Sequence, residues 1–371
     1  MTSETKVVLV TEISESDIVR KKIKSKKTIN QLIIDINTEE SALYIADDER
    51  RHIHISKHPT QISCFKCMDG RVHIPSITGT PIGLVKPYRA IGGKFKVFWP
   101  ALRKRFHTWV ELGLDSGKRS LAFVTYHCSA SNPHLGCAGW NYQTDQAKAH
   151  ITNFCEKLSH VYGYALTAIP TRVETDGDII TLHNGDKEVS GANLIGLTSE
   201  KAHLQIAEVF PRMENELIED ILPFMMGNAV RVAYLRDNPR DLSGLDHHER
   251  VIALGQGFDW LARQNFALII NDIDPNLDFA IETAAKIVKG NLKSASKNDV
   301  ATLFTNIPYR KPGREQREAE MASRELQEFA QDVIKERHPD LWKSGKLMFL
   351  IGVTFEPSKK LTVLDQGVVG A

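Results

Sequence analysis

Runs of apolar residues and their spacing divide the first half of the chain into alternating strands and helices. Continuous apolar runs that end in turn residues predict buried strands, and apolar residues three or four positions apart predict helices. The predicted buried strands are QISCFKC (residues 61–67) and SLAFVTYH (residues 120–127). The predicted helices are KVFWPALRKRFHTWVELG, ending at Gly113, and QTDQAKAHITNFCEKLSHVYG, ending at Gly163. A pair of strands is predicted around the Asp176–Gly177 turn in YALTAIPTRVETDGDIITLHNG.

The second half of the chain repeats this order of elements. A strand (TLFTNIPYR), a helix (EQREAEMASRELQEFAQDVIKERH) and a strand pair (KLMFLIGVTFEPSKKLTVLD) follow one another. Upstream, AVRVAYLRD (residues 229–237) is predicted as the strand that corresponds to QISCFKCMD, and LDFAIETAAKIVKG as the helix that corresponds to FWPALRKRF. The pattern predicts an α/β pseudo-repeat, and two unrelated α/β segments are the alternative. We expect an N-terminal extension at 1–60, a domain that carries the chemistry at 61–195 and a degenerate domain at 196–371.

Composition limits the classes of protein to which the chain can belong. It has 371 residues, of which 42% are hydrophobic and 25% charged, and its formal net charge is +1. These values are typical of a core-forming protein of two or three domains. A net charge near zero gives no reason to expect a nucleic-acid or membrane partner. No apolar run approaches the roughly 18 residues that span a bilayer, and the N-terminus does not resemble a signal peptide.

These features predict a cytoplasmic protein. The basic stretch at residues 20–27 (RKKIKSKK) is interpreted as a solvated part of the N-terminal extension, because short charge runs are usually solvated. In a cytoplasmic chain of this length, clustered cysteines indicate metal binding or catalysis more often than a disulfide framework.

All five cysteines lie in the first half of the chain: Cys64, Cys67, Cys128, Cys137 and Cys155. One alternative is a structural zinc ribbon made of the first four, although its second cysteine pair is widely spaced. A redox CxxC is disfavoured because CFKC ends a strand and does not open a helix. Cys64 and Cys155 are interpreted as thiols of the hydrophobic core.

Cys67, Asp69 and Arg71 stand at alternate positions where a predicted strand ends. In an open α/β sheet, sites form at the carboxyl ends of the strands. A catalytic zinc site uses three protein ligands, often thiolate and imidazole, and keeps a fourth position for water. Cys67 with a histidine and a cysteine from a neighbouring strand end would form such a set. An Arg71–Asp69 pair would be rigid, and would direct the carboxylate at the bound water.

The segment CMDGR resembles the Cys-x-Asp-x-Arg signature of the β-class carbonic anhydrases. YRAIGG (residues 88–93) is similar to the segment that follows this signature, and LAFVTYH…CAGW to the strand and loop that supply the other two ligands. The resemblance covers about residues 60–185. It implies a mixed sheet flanked by helices, a zinc ion held by Cys67, His127 and Cys137, and an Asp69–Arg71 catalytic dyad. It also implies substrate contacts at Tyr88 and Gly93.

The spacing of the histidine departs from the usual family pattern. His134-Leu-Gly-Cys137 has the common His-x-x-Cys spacing, but His134 lies beyond the strand, after Pro133. His127 lies at the strand end but further from Cys137. The carboxysomal shell and cadmium-using diatom carbonic anhydrases resemble this chain in having a long loop between these two ligands, and the shell type also pairs an active half with a degenerate half. We expect His127 as the ligand, with His134 as the alternate.

The resemblance implies reversible hydration of carbon dioxide to bicarbonate by a metal-bound hydroxide. Zinc lowers the pKa of its water from 15.7 to about 7, which supplies hydroxide at neutral pH. The alternatives are a carbon disulfide or carbonyl sulfide hydrolase on the same fold, and a non-catalytic binding module that zinc stabilises. A homo-oligomer and a compartment or shell partner are compatible with the resemblance.

Overall fold

The computed structural model describes residues 28–240, 248–263, 265–294 and 299–370. The basic stretch at 20–27 and the start of the predicted extension lie outside these residues. The strands are β1 Gln61–Cys67, β2 Val85–Ala90, β3 Ser120–Cys128, β4 Thr167–Glu174, β5 Ile179–Asn184, β6 Lys187–Ser190, β7 Val251–Gly255, β8 Ala267–Ile270, β9 Ala301–Tyr309, β10 Leu347–Phe355 and β11 Lys360–Val368. The helices are α1 Ile29–Ala46, α2 Asp48–Lys57, α3 Ile74–Thr78, α4 Pro100–Asp115, α5 Thr144–Tyr162, α6 Ser199–Val209, α7 Asn215–Asp237, α8 Leu277–Ser294, α9 Arg314–Arg337 and α10 Pro339–Trp342.

The first sheet has the order β2-β1-β3-β4-β5-β6. β1 is parallel to β2 and β3, and β3 is parallel to β4, whereas β4, β5 and β6 form antiparallel pairs. β1 and β3 are buried along almost their whole length. Central strands of parallel sheets are covered on both faces, so they are continuously apolar, as these two are. The predicted strands, helices and strand pair of the first half are therefore confirmed.

The second sheet has the order β11-β10-β9-β7-β8. β7 is parallel to β8 and β9, β9 is parallel to β10, and β10 and β11 are antiparallel. Read from β8, this is the same order and the same set of directions as β2-β1-β3-β4-β5. The predicted strand, helix and strand pair at residues 301–368 are confirmed, and the chain is a mixed α/β protein with two mixed sheets flanked by helices.

The predicted strand at residues 229–237 is wrong. AVRVAYLRD forms the last turns of helix α7. Its buried residues are Ala229, Val232 and Leu235, and a spacing of three is that of a helix face and not of a strand. The strand that corresponds to β1 is β7, because β7 pairs with β9 in the second sheet as β1 pairs with β3 in the first. The predicted helix LDFAIETAAKIVKG is confirmed as part of α8.

Helices near the predicted domain boundaries pack across them. Helix α1 lies on the second sheet, where the Asn30 side chain donates to the Phe349 carbonyl (2.9 Å) and the Asn37 side chain to the Lys359 carbonyl (2.8 Å). Helices α6 and α7 share the hydrophobic core of the first sheet, although the sequence analysis assigned residues 199–237 to the second domain. None of the helices among the described residues is long and apolar enough to cross a membrane.

The two sheets meet where β1 ends. The Ile269 N–H donates to the Met68 carbonyl (2.8 Å), and Asp69 forms an isolated antiparallel bridge with Leu268. A Cβ atom on Gly70 would lie 2.8 Å from the carbonyl oxygens of both Ala267 and Arg263. Only glycine allows the two backbones to approach so closely. The CMDGR turn is therefore held between the two halves of the molecule.

Candidate metal centre

Three buried side chains meet at the carboxyl ends of β1 and β3. The candidate ligand atoms of Cys67, His127 and Cys137 all lie within 4.8 Å of one another. The two Sγ atoms are 3.8 Å apart. Two thiols and one imidazole match the donors that zinc prefers, and three protein ligands leave a fourth position open, as in catalytic sites. The structure thus brings together the three residues that the sequence analysis preferred.

Strand register and a compact loop place these side chains. Cys67 is the last residue of β1, and His127 is the second-to-last residue of the neighbouring β3. The loop that carries Cys137 is anchored through Trp140, whose indole N–H donates to the Gly92 carbonyl (2.7 Å). A Cβ atom on Gly139 would lie 2.7 Å from the Gly92 Cα, so this contact requires glycine.

The imidazole of His127 is buried, with 2% of the side chain exposed, and within the described part of the chain neither Nδ1 nor Nε2 makes a hydrogen bond of standard geometry. It lies close enough to Cys67 to lower the pKa of that thiol. Its nearest acidic neighbour is the Asp69 Oδ2 atom, 4.0 Å from Nε2, which is too far for a hydrogen bond. A buried polar group without a partner is costly. A metal ion between this imidazole and the two thiols would supply a partner for one of the two ring nitrogens.

The two thiols affect each other's ionisation. The hydrogen bond from Cys137 lowers the pKa of Cys67 well below its ordinary value, and burial opposes this effect. The same hydrogen bond, together with burial, raises the pKa of Cys137. A metal binds the thiolate form. A cation beside the pair would offset the charge of two thiolates and so favour the ionisation of both.

Asp69 and Arg71 form a two-pronged ion pair beside the three candidate ligands. The Arg71 Nη2 atom is 2.6 Å from Oδ2, and Nε is 3.1 Å and 3.0 Å from the two carboxylate oxygens. The Arg71 backbone N–H also donates to Oδ1 (2.8 Å). Burial disfavours the charge of Arg71, but the charge and hydrogen bonds of Asp69 outweigh it and raise the pKa of the guanidinium. These hydrogen bonds fix the carboxylate in position.

Arg89 holds the backbone of the CMDGR turn. Its guanidinium donates to the carbonyls of Cys67 (3.0 Å), Asp69 (2.9 Å) and Val72 (3.2 Å). These three hydrogen bonds to the backbone give Arg89 a structural role, since they fix the turn that carries Asp69 and Arg71.

The second half supplies apolar side chains to the same region. Cys67 and Cys137 belong to one cluster of buried side chains with Leu254, Leu268 and Ile270. These three residues come from β7 and β8, whose positions relative to β1 no local pattern reveals. Both halves of the chain therefore contribute to the buried cluster that contains the two candidate thiol ligands.

The other predicted site residues are placed as follows. Gly93 has a left-handed φ of 64°, and a Cβ atom there would lie 3.9 Å from the Cys67 N atom, so its backbone borders the candidate centre. The Tyr88 ring instead stacks on Phe65, with ring centroids 4.9 Å apart, and lines a separate cavity. His134 is exposed and is not part of the cluster.

The remaining cysteines lie apart from this group. Cys64 and Cys155 are buried in two other core clusters, as predicted. Burial raises the pKa of Cys64 to about 11 and that of Cys128 to about 11. Among the described residues, neither Cys64 nor Cys128 belongs to a group that could hold a metal ion. The zinc ribbon of four cysteines is not formed.

Sequence reasoning missed the contributions of Trp140 and of the apolar residues from the second half. The aromatic residue directly after CAG was the available signal for Trp140, whereas the apolar residues gave none. Comparison of the chain with models of known protein families, and with curated proteins, found no match. Function is therefore inferred from the residues of the site.

Proposed function

We propose that this chain is a zinc enzyme that hydrates carbon dioxide to bicarbonate, of the β-class carbonic anhydrase type. The observation that carries the proposal is the cluster of Cys67, His127 and Cys137 beside the Asp69–Arg71 ion pair. Each element alone has other uses, since thiol pairs and ion pairs occur in many proteins. Their occurrence in one buried place, in the order of the family signature, favours this reaction.

The residues of the cluster fit zinc. Two thiolates and an imidazole form a soft donor set of the kind found in catalytic zinc sites. The ring nitrogens of His127 make no hydrogen bond of standard geometry among the described residues, so one of them can bind a cation. When bound, zinc would act as a Lewis acid that lowers the pKa of water toward neutrality.

The Asp69–Arg71 pair would orient the reacting water. Both carboxylate oxygens are held by Arg71, and Oδ2 lies 4.0 Å from the His127 Nε2 atom. A carboxylate fixed at this distance can accept a hydrogen bond from a water molecule between it and the three ligands. The clamp also prevents Asp69 from turning into the ligand group. Hydration of carbon dioxide adds water to carbon and releases one proton, so orientation of the attacking oxygen is the main task of the protein.

The surroundings suit a small apolar substrate. Leu254, Leu268 and Ile270 share the buried cluster that includes the two candidate thiol ligands. Carbon dioxide is neutral and binds without a charged partner. An apolar wall also strengthens the electrostatic interactions at the dyad, because it excludes water.

We further propose that the second half is a degenerate copy of the first. The two sheets have the same strand order and directions over five strands. Helix α8 connects β8 to β9 as α4 connects β2 to β3, and α9 connects β9 to β10 as α5 connects β3 to β4. β-class enzymes place their sites at a dimer interface, and here a tandem copy would supply that interface within one chain.

Stopped-flow measurement of carbon dioxide hydration tests the proposal. The zinc-loaded chain is expected to hydrate carbon dioxide, and a chelator-treated sample that has lost its zinc is expected to be inactive. Carbon disulfide and carbonyl sulfide serve as competing substrates. Turnover of these two without hydration would identify a hydrolase on the same fold. A chain that needs zinc to stay folded and turns over none of the three would be a binding module, and the proposal would fail.

A further inference from the structure

A second recess lies between the two halves, away from the candidate metal centre. It is a cavity of about 360 Å³. Residues of α2, β2, β9 and β10 line it, together with the loop after β7. None of Cys67, His127 and Cys137 lines it.

Strand pairing shows which part of the fold this cavity occupies. Ile62 is paired with the second residue of the nine-residue β3, and Val251 with the second residue of the nine-residue β9. Cys67 lies five positions after Ile62, and Gln256 lies five positions after Val251. By this register Gln256 corresponds to Cys67.

The other candidate strand ligand has a counterpart in the same place. His127 is the second-to-last residue of β3, and Pro308 is the second-to-last residue of β9. Gln256 and Pro308 both line the cavity. The cavity is therefore the second-half counterpart of the metal centre, with the thiol and the imidazole replaced.

The wall that the opposite half contributes is also replaced. The same register extends to the edge strands β2 and β8, where Lys86 corresponds to Leu268 and Tyr88 to Ile270. Leu268 and Ile270 belong to the apolar cluster that includes Cys67 and Cys137. Lys86 and Tyr88 give this cavity an ammonium group and a hydroxyl group. Where the metal centre has apolar residues of the opposite half, this cavity has residues that can bind a charged ligand.

The hydroxyl of Tyr88 has no hydrogen-bond partner among the described residues, although the side chain is only 3% exposed. A buried hydroxyl normally has a partner. Since Tyr88 lines the cavity, a ligand there is the partner that the fold leaves available. This observation is independent of the charges around the cavity.

The charges of the cavity favour an anion. Six of its lining residues are lysine or arginine, and two are aspartate or glutamate. One of the six, Arg89, already donates to the backbone of the CMDGR turn. Arg105 is already held by Asp272 (2.7 Å), and Arg310 by Glu356 (2.5 Å). Lys86 and Lys359 add further positive charge. Several cations on low-dielectric walls attract and retain an anion.

We infer that this cavity binds a small organic anion that carries carboxylate or phosphate groups. Its volume is about twelve times the ~30 Å³ that one water molecule occupies, and lies within the range of pockets for small metabolites. A single inorganic ion would leave most of it empty. Lys86 and the Tyr88 hydroxyl bind the oxygens of the anion. The inference depends neither on zinc nor on carbon dioxide hydration.

Isothermal titration calorimetry of the full, metal-loaded chain tests the inference, with inorganic phosphate and malonate as separate probes. Saturable binding of either is expected, and comparison of the two identifies the preferred group. Lys86→Leu, which introduces the residue found at the corresponding position of β8, is expected to weaken binding about tenfold, as loss of a charge-assisted hydrogen bond would. Tyr88→Phe removes one hydroxyl and is expected to weaken binding about threefold or more.

Lys360→Leu is the matched control, because Lys360 is exposed and does not line the cavity. It is expected to bind the probe as the wild type does. Zinc content and thermal unfolding, measured on every variant, separate loss of the site from loss of the fold. Absence of saturable binding of both probes would overturn the inference. So would equal affinity in wild type, Lys86→Leu and Tyr88→Phe.

Discussion

Removal of the Arg71 guanidinium is the most informative perturbation of the candidate dyad. Asp69 and Arg71 are both buried and are joined by contacts of 2.6, 3.0 and 3.1 Å. Arg71→Ala is expected to lower the free energy of unfolding by about 3–5 kcal/mol, because it breaks a buried ion pair by removing one partner. Turnover is expected to fall by about 10²–10⁴-fold, the contribution typical of a group that positions or transfers a proton.

Two further variants separate the charge of the pair from its geometry. Arg71→Lys keeps a positive charge but cannot make two parallel hydrogen bonds, so it is expected to recover only part of the turnover. Asp69→Asn is expected to retain zinc, since an amide is a poor ligand, and to lose activity to a similar degree. The double variant Asp69→Asn/Arg71→Ala is expected to be no slower than the slower single variant, because residues that act as a unit are not additive.

The assay is kcat/KM for carbon dioxide hydration by stopped flow, with zinc content and urea unfolding measured on the same samples. Arg314→Ala provides a control that breaks the exposed Arg314–Glu318 pair of helix α9. It is expected to leave both turnover and unfolding unchanged, because exposed pairs contribute little. If Arg71→Ala and Asp69→Asn keep zinc and near-normal turnover, the pair is structural and the reasoning about the dyad is refuted.

Three other predictions concern the ligand, a buried lysine and the junction between the halves. Metal analysis is expected to show that His127→Ala loses zinc and that His134→Ala keeps it. Loss of zinc from His134→Ala alone would make His134 the ligand. Burial lowers the pKa of Lys66 to about 7, against an ordinary value of about 10.5 in the unfolded chain. Between these two pKa values the unfolded state binds more protons than the folded state, so the free energy of unfolding rises from about pH 7 to pH 10.5. Urea unfolding of Lys66→Met across this pH range should not show the rise. A pH profile equal to that of the wild type would contradict the prediction. Gly70→Ala would place a Cβ atom 2.8 Å from two backbone carbonyl oxygens of the second half, so a lowered melting temperature is expected. An unchanged melting temperature would contradict the prediction, because it would show that the two backbones can move apart at this point.

The order of strands and helices could be predicted because the central strands carry their signal locally. β1, β3 and β9 are continuous buried runs that end in turns, and a strand buried on both faces is apolar throughout. The segment AVRVAYLRD predicts a strand because Val230, Val232 and Tyr234 favour strands. Ala229, Val232 and Leu235 are the residues that face the core, and packing against the first sheet decides for helix α7.

The candidate site was predictable where it depends on strand ends, and unpredictable where it depends on contacts between the halves. Cys67 and His127 lie at the carboxyl ends of neighbouring strands, and parallel pairing brings these ends together. Tyr88 was expected beside the substrate, but its position on β2 directs its ring to the Phe65 cluster and the second cavity. No local pattern reveals that β2 and β8 face opposite sites, because that follows from how the two sheets meet.

Zinc content and carbon dioxide hydration, measured together on the wild type and on Cys67→Ser, test the central claim most directly. The wild type is expected to bind zinc at about one ion per chain and to hydrate carbon dioxide. Cys67→Ser, with its fold verified by circular dichroism, is expected to lose both, because a serine hydroxyl is a far weaker zinc ligand than a thiolate. A zinc-loaded wild type without hydration activity, or a Cys67→Ser variant that keeps zinc and wild-type turnover, would contradict the proposed metal centre.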